Sequence, residues 1–148
     1  MSDEMKNRTT NANGKPQSYR DLQVWEKSIA LAKVIYKLAA DFPSEEKFGL
    51  ISQMRRAAVS VPSNIAESQA RNTTGEFVQF ISHAEGSLAE LDTQLTLAVE
   101  LIFLTADKVK TCADSIEELR RMLNGLRRAV SGQNLQLVTR HISLITKP

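Results

Sequence analysis

The chain has 148 residues, of which 42% are hydrophobic and 24% are charged, and its formal net charge is +2. These values predict one soluble globular domain, and so small a net charge does not by itself indicate a nucleic-acid partner. The single cysteine excludes an intrachain disulfide, and the lack of an apolar secretory segment or of any run near ~18 apolar residues leads us to expect a cytoplasmic location.

The chain begins with a polar segment, residues 1–17, which has no hydrophobic period and predicts a disordered arm. A first helix is predicted from about Ser18 to Ala40, and it carries two apolar seams. One seam consists of Leu22, Trp25, Ile29, Ala32, Tyr36 and Ala39, and the other of Val24, Leu31, Ile35, Leu38 and Phe42. A surface helix needs only one seam. The second therefore indicates either contact with another subunit or a central helix in a compact monomer.

Pro43 ends the first helix and opens the second, which contains another proline, Pro62, in its interior. An internal proline removes a backbone hydrogen bond, at a cost of about 3 kcal/mol unless the loss is compensated. We therefore predict a kink or a short break near residues 60–63. Asn64 and Glu67 have the spacing of a capping box for a restarted helix.

The stretch from Leu50 to Arg71 contains more polar residues than a helix core requires. Six of them share one helical face: Ser52, Arg56, Ser60, Asn64, Glu67 and Arg71. Two interpretations are open. These residues satisfy backbone groups freed by Pro62 and form ion pairs, or they form a site for a ligand or a partner.

Thr73 and Glu76 fit a capping box for a third helix. Its apolar seam is the most regular in the chain and consists of Phe77, Ile81, Ala84, Leu88, Leu91, Leu95, Ala98 and Ile102. Between Arg71 and Lys108 the chain contains acidic residues but no lysine or arginine. After a short turn, a fourth helix is predicted from the seam Val109, Cys112, Ile116, Leu119, Leu123, Leu126 and Val130.

The second half of the fourth helix carries two arginine pairs, whose members are Arg120, Arg121, Arg127 and Arg128. Helical spacing places them in one strip beside the seam, and the chain contains no acidic residue after Glu118. This basic strip either pairs with the acidic third helix or stays solvated, or it binds phosphates or an acidic partner. No aromatic residue accompanies it, so base stacking is not indicated. Beyond it the periodicity weakens and fits either a short helix or a strand.

The sequence contains no recognisable motif for catalysis, for a metal or for a cofactor. Phe80 and Val138 stand three residues before the two histidines, where a carboxylate-bridged metal bundle would have glutamates. HExxH, paired CxxC, phosphate-loop and GxGxxG motifs are also missing. Cys112 lies on an apolar seam, which predicts a buried and inert thiol. We therefore predict a protein that is not an enzyme and has no cofactor or metal.

Several motifs resemble those of one known family. They are Tyr19-Arg20-Asp21-Leu22-x-Val24-Trp25, Phe42-Pro43, Phe48-Gly49-Leu50, Gln53-Met54-Arg55-Arg56-Ala57-Ala58-Val59-Ser60-Val61-Pro62-Ser63-Asn64-Ile65-Ala66-Glu67, Glu76-Phe77 and Gly86-Ser87-Leu88-x-Glu90-Leu91. Over about residues 19–104, the chain resembles the four-helix-bundle family encoded by intervening sequences in bacterial 23S rRNA genes.

The resemblance implies an all-α, antiparallel up-and-down four-helix bundle that assembles as a ring-like homopentamer. It also implies distant similarity to the accessory protein of diversity-generating retroelements, whose basic pentameric surface engages nucleic acid and a reverse transcriptase. The family's core residues correspond to Arg55, Arg56, Ser60, Pro62, Asn64, Glu67 and Arg71. The sequence departs from the family's Gly-x-Gly-Arg pattern at Ser68-Gln69-Ala70-Arg71, where both glycines are missing.

The predicted organisation is a disordered arm at residues 1–17, a four-helix bundle at residues 18–130, and a C-terminal tail or short extra element at residues 131–148. We predict a self-assembling adaptor that binds RNA or DNA through the four arginines of the basic strip. The alternative is a purely structural oligomer that contacts a protein partner and has no nucleic-acid role.

Overall fold

The computed structural model describes Tyr19, residues 22–132 with their side chains, and the helical backbone onward to Thr146. These residues form four α-helices: α1 (Gln23–Ala39), α2 (Leu50–Gln69), α3 (Thr74–Glu100) and α4 (Ala106–Thr146). Each helix packs against two others, in the cyclic order α1, α2, α3, α4, which is the arrangement of an up-and-down bundle. The predicted all-α antiparallel four-helix bundle is confirmed, and the predicted arm lies outside the described residues.

All four helices contribute to one hydrophobic core. Its largest fully buried apolar side chains are Ile35, Met54, Ile65, Ile81, Leu88, Leu91, Leu95, Leu119 and Leu123. The predicted seams of the third and fourth helices supply most of the members from α3 and α4. Among the described residues, no helix has both the length and the apolar character needed to cross a membrane.

α1 uses one of its two predicted seams for the core. Val24, Leu31 and Ile35 are buried, and Ser28 joins them at 1% exposure because its hydroxyl donates to the Trp25 carbonyl at 2.7 Å. In the other seam, Ala39 is buried and Leu22, Trp25 and Ala32 pack against the core, whereas Ile29 and Tyr36 are 36% and 43% exposed. The compact bundle therefore leaves one apolar side of α1 only partly covered.

The second helix begins later than the sequence predicts. Residues Ser44–Glu46 form a single 3-10 turn, and α2 begins at Leu50. The Glu46 carboxylate accepts a hydrogen bond from the Leu50 N–H at 3.2 Å, which satisfies one of the free donors at the start of the helix. Gly49 leaves room for this carboxylate, since a Cβ there would lie 2.8 Å from Glu46 Oε2. The prediction that the helix opens at Pro43 is therefore wrong.

α2 continues through Pro62, so the predicted break does not occur in this described helix. Two side chains donate to carbonyls of the turn before the proline: Ser63 Oγ to the Val59 oxygen and Asn64 Nδ2 to the Ser60 oxygen, each at 2.8 Å. The proline is also buried, so its ring is removed from water. These hydrogen bonds strengthen the turn around the proline, although the acceptor that Pro62 leaves without an N–H donor is the Ala58 carbonyl. Asn64 consequently lies inside a helix and does not cap a new one.

α3 begins as predicted and ends in an unusual conformation. Thr73 Oγ1 accepts a hydrogen bond from the Glu76 N–H at 3.2 Å, as the capping box requires. At the other end, the Ile102 N–H donates to Val99 O at 3.0 Å and the Phe103 N–H to Ala98 O at 2.9 Å. This pair of hydrogen bonds defines a Schellman motif.

The residue at the left-handed position of this motif is Ile102, with φ of 61°, where glycine is the usual residue. A β-branched side chain is strained in this conformation. The isoleucine side chain is also 89% exposed, so burial within the chain does not offset the strain. The sequence pattern predicts that Ile102 extends the core seam of α3, and this prediction is wrong.

The fourth helix continues beyond residue 130, where the sequence pattern predicts a separate tail or short extra element. α4 has 41 residues, or about 62 Å at 1.5 Å per residue, and ends at Thr146. No proline interrupts it, and isolated glycines such as Gly132 are tolerated inside a helix. The backbone from residue 131 to Thr146 therefore extends α4. Residues 147 and 148 lie outside the described residues.

We predict that Ile102→Gly raises the free energy of unfolding by about 0.5–1 kcal/mol, because glycine adopts the left-handed conformation without steric strain. Urea unfolding, followed by circular dichroism, measures the change. Ile102→Ala is the matched control, since it removes the side chain but keeps a Cβ. If Ile102→Gly proves no more stable than Ile102→Ala, backbone strain at this position is refuted.

Candidate functional site

The polar face predicted on α2 is largely a hydrogen-bonded contact between α2 and α3. Ser60 Oγ lies 2.8 Å from Ser87 Oγ, and Asn64 Nδ2 donates to Ser60 Oγ at 2.9 Å. Ser87 Oγ also donates to the His83 carbonyl at 3.1 Å. These side chains are half-buried or buried and use each other as partners. Their arrangement matches the structural interpretation of this face.

The end of the same face forms a second contact at the turn between α2 and α3. Arg71 forms an ion pair with Glu67 one helical turn earlier. Its guanidinium also lies 4.8 Å from the centroid of the Phe80 ring on α3, a cation–π geometry. His83 packs edge-on against the same ring, with centroids 5.6 Å apart. These contacts hold the start of α3 beside the end of α2.

The two arginines in the middle of α2 differ in their surroundings. The Arg55 guanidinium lies 4.9 Å from the Tyr36 ring centroid, and its buried Nε has no hydrogen-bond partner among the described atoms. Arg56 is exposed and makes no hydrogen bond or ion pair in the described part of the chain. Arg55 therefore lies beside the exposed seam of α1, and Arg56 faces solvent.

A partly apolar surface, which we call the α1–α2 face, surrounds Arg55. Its members are Ile29, Lys33, Tyr36, Arg55 and Val59. Ile29, Tyr36 and Val59 are 36%, 43% and 44% exposed. Lys33 lies one helical turn from both Ile29 and Tyr36, so it adds a positive charge to the same side of α1. Glu26, which is also exposed, lies one turn before Ile29, so the face is apolar and carries two cations, Lys33 and Arg55, against one carboxylate.

The predicted basic strip on α4 contains one arginine that is engaged within the bundle. Arg127 donates to Glu85 Oε1 at 2.7 Å and to Ser82 Oγ at 3.0 Å, both on α3. The side chains of Arg127 and Glu85 are each 32% exposed, which reduces solvent screening of the pair. Arg127 therefore fastens α4 to the acidic helix α3.

The other three arginines of the strip, Arg120, Arg121 and Arg128, are exposed. Each makes no hydrogen bond or ion pair within the part of the chain that the structure describes. Arg120 and Arg121 line a shallow groove of about 320 Å³ together with Glu85, Glu117 and Asn124. Asn124 is a groove residue that the sequence pattern does not single out, because an isolated asparagine on a helix carries no distinctive spacing.

The described residues contain no reactive constellation. No group of three or more histidine, cysteine, aspartate or glutamate side chains among them has the arrangement of a metal site. Cys112 is 1% exposed, and burial raises the pKa of its thiol, which favours the protonated form. The polar side chains described above can hold the helices together, and the exposed arginines of α4 can bind an anionic partner.

Comparison with known proteins identifies a family and a fold. A family model described as "23S rRNA-intervening sequence protein" matches residues 20–125. No curated protein matches the chain. The matched region spans α1, α2 and α3 and ends within α4, so residues 126–148 lie beyond it.

A solved structure with the same fold comes from Bacteroides thetaiotaomicron and is described as a protein with unknown function from the S23 ribosomal protein family. The TM-score is 0.64 at 20% sequence identity, and the alignment covers 71% of this chain and 98% of that one. At this identity the likeness supports the bundle fold. Neither description names a catalytic activity.

We predict that the pair Arg127–Glu85 stabilises the bundle with a coupling energy of about 0.5–1 kcal/mol, since both side chains are only partly exposed. A double-mutant cycle of Arg127→Gln and Glu85→Gln, measured by urea unfolding, gives this energy. The matched control cycle uses Lys110 and Asp114, an ion pair whose side chains are 75% and 70% exposed. Equal coupling in the two cycles would contradict the structural role of Arg127.

Proposed function

The chain belongs to the 23S rRNA-intervening sequence protein family, and from this premise we propose that it is a non-enzymatic, self-assembling adaptor that binds RNA or DNA. The binding residues are Arg120, Arg121 and Arg128, and the assembly is a homopentamer. We propose a cytoplasmic location, where the single buried thiol of Cys112 stays reduced.

The observation that carries the proposal is the contrast within the basic strip. Arg127 has an acidic partner on α3, whereas Arg120, Arg121 and Arg128 have none among the described residues. Free guanidinium groups on one side of a helix bind phosphates and release the counterions of the nucleic acid. The fixed fork of their N–H donors also suits phosphate oxygens.

The spacing of the strip fits a polynucleotide backbone. Arg121 and Arg128 lie two helical turns apart, or about 10.5 Å along α4 at 1.5 Å per residue. At a rise of about 3.4 Å per nucleotide, this separation matches phosphates about three nucleotides apart. α4 contains no phenylalanine, tyrosine or tryptophan, so the contact is made through phosphates and not through stacking.

Assembly strengthens such a surface. Three cations from one chain give weak binding at physiological salt, whereas five linked copies present the strip five times and bind with avidity. The partly exposed apolar side chains of the α1–α2 face support self-association, since an apolar surface rimmed by polar groups is typical of a protein contact. The pentameric number follows from the family resemblance.

A purely structural oligomer with a protein partner is the second candidate. It is favoured by the Arg127–Glu85 contact, which shows that part of the strip serves the bundle itself. In that case the unpaired arginines remain solvated and the exposed apolar residues bind another protein.

We predict that the chain binds a mixed-sequence single-stranded RNA at about 50 mM salt. The logarithm of the binding constant should fall linearly with the logarithm of the salt concentration. The variant Arg120→Gln, Arg121→Gln, Arg128→Gln should bind at least tenfold more weakly at this salt concentration. Its salt slope should be about 2 units shallower, since each lost phosphate contact removes about 0.7 units. Fluorescence anisotropy with a labelled 20-nucleotide RNA and a matching DNA duplex measures both quantities.

Two controls make the assignment specific. The variant Lys47→Gln, Lys108→Gln, Lys110→Gln removes the same number of charges outside the strip, in the turn before α2 and at the start of α4, and should retain its affinity. Arg127→Gln should weaken RNA binding less than its neighbour Arg128→Gln, because Arg127 is already paired. No binding to either nucleic acid at about 50 mM salt, or equal loss in both triple variants, would reject the proposal in favour of the structural oligomer.

A further inference from the structure

A second exposed surface on the same chain has the opposite charge from the α1–α2 face. We call it the α3 stripe, and its members are Gly86, Glu90, Thr93, Leu97 and Leu101. Helical spacing places them on one side of α3, away from the core. Leu97 and Leu101 are 47% and 48% exposed. A Cβ added at Gly86 would meet no atom within 4 Å, so nothing in the described chain covers this end of the stripe.

The one charge within the stripe is the carboxylate of Glu90, which accepts a hydrogen bond from Gln94 Nε2 at 3.2 Å. Glu90 lies within it and Glu100 lies beside its end, and both are exposed. No lysine or arginine occurs anywhere on α3. The α1–α2 face carries Lys33 and Arg55 instead, and the buried Nε of Arg55 is without a partner among the described atoms. One chain therefore presents two apolar surfaces that complement each other in charge.

We infer that the α3 stripe of one copy docks on the α1–α2 face of the next copy. This inference rests on the self-assembly proposed above and names its contact surfaces. The leucines of the stripe cover the exposed Ile29 and Val59, and a stripe carboxylate pairs with Arg55. Gly86 and Thr93 are small and let the two helices approach closely.

The charges select this head-to-tail contact over a two-fold contact between identical faces. Two α3 stripes facing each other would bring carboxylates together, and two α1–α2 faces would bring Lys33 and Arg55 together. Like charges at close range disfavour both arrangements. A contact between unlike surfaces leaves one free surface of each kind on every growing assembly. The assembly closes into a ring when the rotation between successive copies brings these two free surfaces together.

The test uses two variants that carry the same substitution on different surfaces. Leu97→Asp disrupts the α3 stripe and leaves the α1–α2 face intact, whereas Val59→Asp does the reverse. Thr111→Asp, on an exposed position of α4, is the matched control. Native mass spectrometry of the full chain, with one variant isotopically labelled, gives the mass and composition of each species.

Head-to-tail docking gives a specific outcome. Each variant alone should be monomeric, and a mixture of the two should form one-to-one dimers, in which the intact stripe of Val59→Asp binds the intact face of Leu97→Asp. These dimers cannot grow, because their remaining surfaces are both disrupted. Thr111→Asp should assemble as the unaltered chain does.

The other outcomes separate this inference from the proposed function. If the unaltered chain is itself monomeric, self-assembly is refuted and the docking surfaces with it. If the unaltered chain assembles but the mixture stays monomeric, or if either single variant still assembles, these surfaces are wrong while self-assembly stands. Circular dichroism checks folding, and Leu101→Asp with Ile29→Asp forms a second pair if either first variant unfolds.

Discussion

The antiparallel packing of α2 on α3 is the interaction on which the rest of the structure depends. It is the most extensive helix–helix contact among the described residues. Small residues such as Ala57, Ala58 and Ala84 are almost fully buried there, which lets the helices approach closely. A part-buried hydrogen bond between Ser60 and Ser87 links the two helices and favours one register between them.

The bundle organises charge by engaging some residues and leaving others free. Glu85 on α3 holds Arg127, and Lys27 on α1 pairs with Glu118 on α4. What remains is a set of free arginines on α4, a basic apolar surface on α1 and α2, and an acidic apolar stripe on α3. None of these features belongs to a reactive pocket. The described part of the chain thus presents charged and apolar surfaces, which are what the proposed adaptor function requires.

Helical spacing predicts the helices and their apolar seams, and the family resemblance supplies their arrangement as an up-and-down bundle. The seams of α3 and α4 and the two seams of α1 follow from helical periodicity, and the core confirms the α4 seam, the α3 seam apart from Ile102, and one seam of α1. Errors arise where tertiary contacts override local rules. Ser63 and Asn64 donate to backbone carbonyls around Pro62, and Glu46 caps α2 from outside the helix. Whether an arginine of the strip is paired depends on the register between α3 and α4. The residue pattern within one helix cannot predict this register.

The central claim is that apolar surface left exposed by one bundle is covered by another copy of the same chain. Light scattering coupled to size-exclusion chromatography tests it most directly, on the unaltered protein and across a hundredfold range of concentration. We expect one species of about five times the chain mass that dissociates only at the lowest concentrations. A particle with the mass of one chain throughout the range would contradict it.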